Sequence, residues 1–145
     1  MHATTSFTRL ERTLTQLDHA RLHKLAAHAL QTRGAADPLA QALEEMLDCS
    51  EVVAPQDASP DLVTMNSRVE LEDPASGERY AITLCYPRDA KPSEGEVSVM
   101  SPVGASLLGA RVGQVVEWTT PAGVHGSARV AALQFQPEAA GEYLR

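Results

Sequence analysis

The residues best suited to chemistry in this chain are its five histidines, two cysteines and one short acidic run. His19 and His23 stand four apart, the spacing that turns two imidazoles of one helix toward a shared metal. Such a site needs further ligands and partners that orient them. No His-Glu-x-x-His pattern and no carboxylate cluster accompanies the pair, so both are expected as solvent-facing polar residues. His2, His28 and His125 stand apart from them. Cys49 and Cys85 match no zinc or redox spacing and are expected as reduced thiols. Glu44, Glu45 and Asp48 form an acidic helix face, which solvation explains unless a partner meets it. No serine sits in a nucleophile elbow and no glycine-rich loop resembles a phosphate cradle. The expectation is therefore no catalytic residue, no metal and no cofactor. One segment is more distinctive, Met100 to Gly109. Ser101 followed by Pro102 at a strand-to-helix junction exposes first-turn N–H groups and fixes the backbone. Such a corner is either a connector above Leu107 and Leu108 or a rigid docking surface.

The elements that position these residues follow from periodicity. Residues 1–17 carry no clear period and are expected to fray or form a short extended piece. A helix is expected from Asp18 as its cap, with Leu22, Leu25, Ala26, Ala29 and Leu30 on one face and a stop near Gly34. A second opens at Asp37 with Pro38 in the first helical position, and Leu39, Leu43, Met46 and Leu47 make its stripe. With about five residues between them, the two helices fold back as an antiparallel hairpin or pack separately on a larger domain. Pro55 and Pro60 punctuate a polar stretch, so residues 1–50 read as a helical arm, 51–60 as a linker and 61–145 as the main domain. There the period changes to two. Val69 and Leu71, then Tyr80, Ile82 and Leu84, flank the turn-forming Asp73-Pro74-Ala75-Ser76-Gly77, which makes 68–86 a hairpin. A strand at Val97–Met100, a brief helix from Pro102, a strand at Gln114–Thr119, a turn at Pro121-Ala122-Gly123 and a strand at Gly126–Phe135 complete an α+β domain with an antiparallel sheet.

Composition narrows the partners. The chain has 43% apolar residues but only 4% aromatics, so its core is mainly Val, Leu and Ala. Its net charge is −7, with −3 in residues 1–60 and −4 in 61–145. It lacks the basic footprint that neutralises phosphates, which argues against direct nucleic-acid binding and for a protein partner. No apolar run approaches the roughly 20 residues of a membrane helix. Met1 to Ser6 lack a signal pattern, and cytoplasm is the expected compartment.

The stretch Val97 to Pro121, with Ser-Pro-Val-Gly-Ala-Ser-Leu-Leu-Gly, then Val-Gly-Gln and a late Pro-Ala-Gly turn, resembles the C-terminal domain of the GreA/GreB transcript-cleavage factors. Val63-Thr64-Met65-Asn66-Ser67-Arg68-Val69 and the run from Gln136 to Leu144 are similar to one branch of that family, the regulators of nucleoside diphosphate kinase. The resemblance implies an FKBP-like C-terminal domain that binds RNA polymerase near its secondary channel. It also implies a helical arm whose tip carboxylates, in cleavage factors, help to hold a metal. By position, Ser101, Pro102, Val103 and Gly104 match the docking corner, although Met100 stands where many members have a polar or acidic residue. Asp37 is the arm-tip carboxylate. Helices of 13–14 residues reach only about 20 Å, and one capping carboxylate binds a hard cation poorly.

The resemblance therefore implies a monomeric, non-catalytic polymerase-binding factor without cleavage stimulation. Nucleoside diphosphate kinase is the alternative partner. A prolyl isomerase is disfavoured, because Tyr80, Tyr86, Trp118, Phe135 and Tyr143 are scattered across the elements.

Overall fold

The computed structural model describes residues 6–7, 11–120 and 122–144; His2, the Met1–Thr5 pattern and Pro121 of the expected turn lie outside them. Two strands precede the first helix, where the sequence shows no period: β1 (Ser6–Phe7) and β2 (Thr13–Thr15). Helix α1 runs Gln16–Arg33, and its cap is Thr15, whose hydroxyl accepts the Asp18 N–H at 3.1 Å. The expected cap, Asp18, lies instead in the first turn and points inward, 4% exposed. Both types can cap a helix. What decides between them is a bond from the Met65 N–H to Asp18 Oδ2 at 3.0 Å, 47 residues away.

Helix α2 (Pro38–Cys49) begins as expected, with Asp37 Oδ2 accepting the Ala40 N–H and Pro38 at the first position. The two helices pack as an antiparallel hairpin. His19 Nε2, near the start of α1, donates to the Leu47 carbonyl near the end of α2 at 3.0 Å, and His23 Nε2 lies 3.5 Å from Asp48. The segment read as a linker is structured at its start: β3 (Glu51–Val53) pairs in parallel with β2, and Pro55–Asp57 form a short 3-10 turn.

The main sheet contains β4 (Arg68–Glu72), β5 (Arg79–Cys85), β6 (Glu96–Ser98), β7 (Val115–Thr119) and β8 (His125–Phe135). With β1 its order is β1-β7-β8-β4-β5-β6. The expected β4–β5 hairpin forms, and its register sets Val69 opposite Ile82 and Leu71 opposite Tyr80. The α+β class holds, and one detail of the antiparallel sheet differs: β6 joins β5 in parallel. The turns over 87–95 carry the chain round between them, a connection too irregular to read from periodicity.

Alternation along the strands places Val69, Leu71, Ile82, Leu84, Val116 and Val130 inward. They share one buried cluster with Leu107 and Leu108 and with Leu22, Ala26, Leu43 and Leu47 of the hairpin. The arm is thus rooted in the core of the domain. On the opposite face of the sheet, Arg79 meets Glu70 at 2.9 Å and Glu72 at 3.1 Å, while Arg129 meets Glu72 at 3.2 Å. Arg129 first, then Arg79, holds the Glu72 carboxyl below its usual range. Exposed pairs of this kind add little stability.

Candidate docking corner and helical arm

Helix α3 (Pro102–Leu107) follows β6 after a tight corner built on Ser98. The Ser98 carbonyl accepts from the Ser101 hydroxyl at 2.6 Å and from the Ser101 N–H at 3.1 Å, and Ser98 Oγ accepts the Met100 N–H at 3.0 Å. Ser101 Oγ in turn accepts the Gly104 N–H at 3.1 Å. The expected exposure of first-turn N–H groups is therefore only partial, since Ser101 satisfies that of Gly104 internally. Ser101, Pro102 and Val103 are half-buried and form the outer surface of the corner, whereas Gly104 is buried beneath them. Gly104 serves as a spacer: a Cβ there would lie 2.0 Å from the Ser98 carbonyl oxygen and 2.8 Å from its carbon.

The far end of α3 is held by a residue that periodicity did not single out. Arg12 is 4% exposed, and its Nη1 donates to the carbonyls of Ser106, at 2.9 Å, and Leu108. Burial lowers its pKa to about 10, so it remains a cation at neutral pH. Gly109 ends the helix in the left-handed region (φ 77°) and its N–H donates to the Val63 carbonyl at 2.9 Å. In the sequence Arg12 stands between Glu11 and Thr13, three residues after Arg9, with no period to mark it.

The arm tip is a separate place in the fold. Asp37 is half-buried, engaged as the cap of α2, and is the one carboxylate between Thr32 and Gln41. No group of three or more His, Cys, Asp or Glu residues among those described is arranged to hold a metal ion. His19 and His23 stack edge to face at 5.2 Å and are turned to α2. At 18 residues α1 is longer than expected, about 27 Å at 1.5 Å per residue. Its first turns are used to anchor it.

That anchor is made by the two outer sequence blocks. Beside the Met65–Asp18 bond, Thr64 Oγ1 donates to Glu138 at 2.7 Å and meets Ser67 Oγ at 2.9 Å. Gln136 Nε2 donates to the Ser59 and Leu62 carbonyls at 2.8 and 2.7 Å, and Arg21 of α1 donates to the Leu144 carbonyl at 3.2 Å. Burial and, more weakly, the charge of Glu138 push the Asp18 carboxyl up to about 6, against the opposing Met65 and Thr15 bonds and the Arg21 charge. The folded chain therefore holds a proton there between about pH 4 and 6 that the unfolded chain has released, so this group's contribution falls as pH rises through that window. A two-unit shift corresponds to about 3 kcal/mol. Asparagine retains an acceptor for the Met65 N–H without the charge. In urea melts from pH 4.5 to 7.5, Asp18→Asn should lose this component and be at least as stable as the parent at pH 7.5. A variant clearly less stable at pH 7.5 would show that the charge itself is needed.

Residues 56–134 match the family model described as Transcription elongation factor, GreA/GreB, C-term. The regulator of nucleoside diphosphate kinase of Escherichia coli strain K12 is 46% identical over 107 residues, 74% of this chain and 79% of that protein. The transcription inhibitor protein Gfh1 of Thermus aquaticus is 36% identical over 97 residues, 66% of this chain and 60% of that one. Among solved structures, a prokaryotic transcription elongation factor GreA/GreB from Nitrosomonas europaea superposes with a TM-score of 0.72 at 34% identity, covering 86% of this chain and 100% of that chain.

Proposed function

This chain belongs to the GreA/GreB family, and from that premise we propose that it is a non-catalytic regulator that docks on bacterial RNA polymerase in the cytoplasm as a single copy. The observation that carries the proposal is the Ser101-Pro102 corner. Its shape is set before any partner arrives, by the bonds to Ser98 and by the buried Gly104, so docking orders little new chain. The corner approaches the polymerase near its secondary channel, and the arm projects from the same core into the channel mouth. Stimulating transcript cleavage would require the tip to help hold a divalent cation, which several oxygens normally share. Asp37 offers one carboxylate, already occupied as a cap. The chain therefore occupies polymerase without promoting cleavage and competes with longer-armed relatives.

Pro102→Asp tests the docking assignment. An acidic residue is well tolerated in the first turn of a helix, so the fold survives, while a charge enters the corner. The expected result is saturable binding of the parent chain to core polymerase, more than tenfold weaker binding of the variant, and no cleavage of backtracked transcripts by either. Undiminished binding of the folded variant would remove the corner from the interface.

A second partner is suggested by the name of the Escherichia coli relative, regulator of nucleoside diphosphate kinase. In a pull-down with polymerase and nucleoside diphosphate kinase at equal concentration, retention of polymerase alone is expected. Retention of the kinase without polymerase would favour a direct kinase contact instead.

A further inference from the structure

Apart from the corner and the arm tip, a cavity of about 560 Å3 lies where α1 passes the face of β5 that carries Thr83 and Cys85. Two arginines line it from different elements, Arg21 of α1 and Arg88 of the turn after β5. Two carboxylates share the wall, Asp89 beside Arg88 and Glu96 of β6. Leu144 borders it, its carbonyl accepting from Arg21.

Two further observations set this wall apart from ordinary surface. The Tyr86 hydroxyl is buried and has no hydrogen-bond partner of acceptable geometry among the described residues. Burial, with the charge of Asp18, pushes its pKa up to about 12 even though Arg21 is near enough to oppose the shift. Among the described residues Asn66 is the non-glycine residue with positive φ, 66°, and its N–H is fixed to the Leu84 carbonyl at 2.7 Å. Asparagine enters that region more readily than other side chains, whereas a buried hydroxyl without a well-formed bond is costly and marks a wall where a ligand or water can bind.

The lining selects a ligand class. Two arginines and two carboxylates sum to zero, with Arg88 and Asp89 3.8 Å apart, so the wall as a whole favours neither a simple anion nor a simple cation. A ligand satisfies both pairs when it carries a phosphate at one end and O–H or N–H donors at the other. The volume lies within the range of pockets for drug-sized molecules, roughly 300–1,000 Å3, and an amino acid would leave most of it unfilled. We propose that this cavity binds a nucleoside phosphate, with the phosphates on Arg21 and Arg88 and the sugar or base donors on Asp89 and Glu96. None of the residues that line it belongs to Ser101–Gly104.

Titration calorimetry on the full chain tests it with adenosine and guanosine diphosphates, inorganic pyrophosphate and the two nucleosides as probes. Saturable binding of at least one nucleoside diphosphate is expected, tighter than pyrophosphate or nucleoside alone. Arg88 is 85% exposed, so Arg88→Gln leaves the fold intact. It should weaken the nucleotide about tenfold or more, as loss of a charged hydrogen bond does. Glu96→Gln should weaken the nucleotide but strengthen pyrophosphate. Arg68→Gln, which touches Gln134 away from the cavity, should change neither. No saturable binding at millimolar diphosphate, or an Arg88→Gln variant that binds as the parent does, would overturn the site. Pyrophosphate binding as tightly as the nucleotides would overturn the nucleoside assignment.

Discussion

Gly104→Ala should lower the melting temperature by about 6–12 °C. The new Cβ would sit 2.0 Å from the Ser98 carbonyl oxygen, and the obstacle is backbone that cannot rotate away. Overpacking usually costs 1–3 kcal/mol and more when nothing flexible can yield. We take about 3 kcal/mol, and each kcal/mol moves a chain of this size by roughly 2–4 °C. Because Ser98 also receives both Ser101 bonds, polymerase binding should fall in the same variant at temperatures where it remains folded. Calorimetric unfolding checks the first effect. A melting temperature within a degree or two of the parent would mean that α3 can lift off Ser98 without penalty, contrary to the spacer role.

Arg12→Met should destabilise the chain by about 2–4 kcal/mol. Methionine fills similar volume but leaves the Ser106 and Leu108 carbonyls without their buried donor, at about 1–3 kcal/mol for each unsatisfied group. Relief of burying a cation offsets part of that loss. Arg12→Lys separates the two contributions, because an ammonium retains the charge but cannot reproduce the planar fork. Lysine should recover less than half of the difference. Hydrogen exchange gives the local readout: amides over 102–110 should lose protection ahead of those in β4 and β8. Uniform loss across the sheet would show Arg12 acting on global stability alone.

What could be read from sequence here was mostly local. Asp37-Pro38 marks the start of α2 because cap and first-turn proline act within four residues. The β4–β5 hairpin was equally plain, since alternation and the Asp73–Gly77 turn are neighbours in the chain. The misses share long-range causes. Thr15 rather than Asp18 caps α1 because Asp18 is claimed by Met65. Glu51–Val53 become a strand only because Thr13–Thr15 lie beside them. Arg12 has no periodic signature, and its partners are more than 90 residues away.

The candidate site divides in the same way. Ser101 and Pro102 were legible from their types only as a rigid corner, with the docking reading supplied by resemblance, while the role of Gly104 depends on Ser98 lying against it. The blocks at 63–69 and 136–144 drew attention by resemblance, and their side chains are spent on seating α1.

The pairing of β2 with β3 has a bearing on how such chains diversify. Everything from Gln16 to Ser50 leaves and returns between two strands hydrogen-bonded to each other, Thr13 beside Glu51 and Thr15 beside Val53. The helical hairpin is therefore an insert with a closed base. Turns can be added or deleted in register on both helices at its distal end without moving the strands or the sheet below. Reach becomes a property that can change independently of the platform.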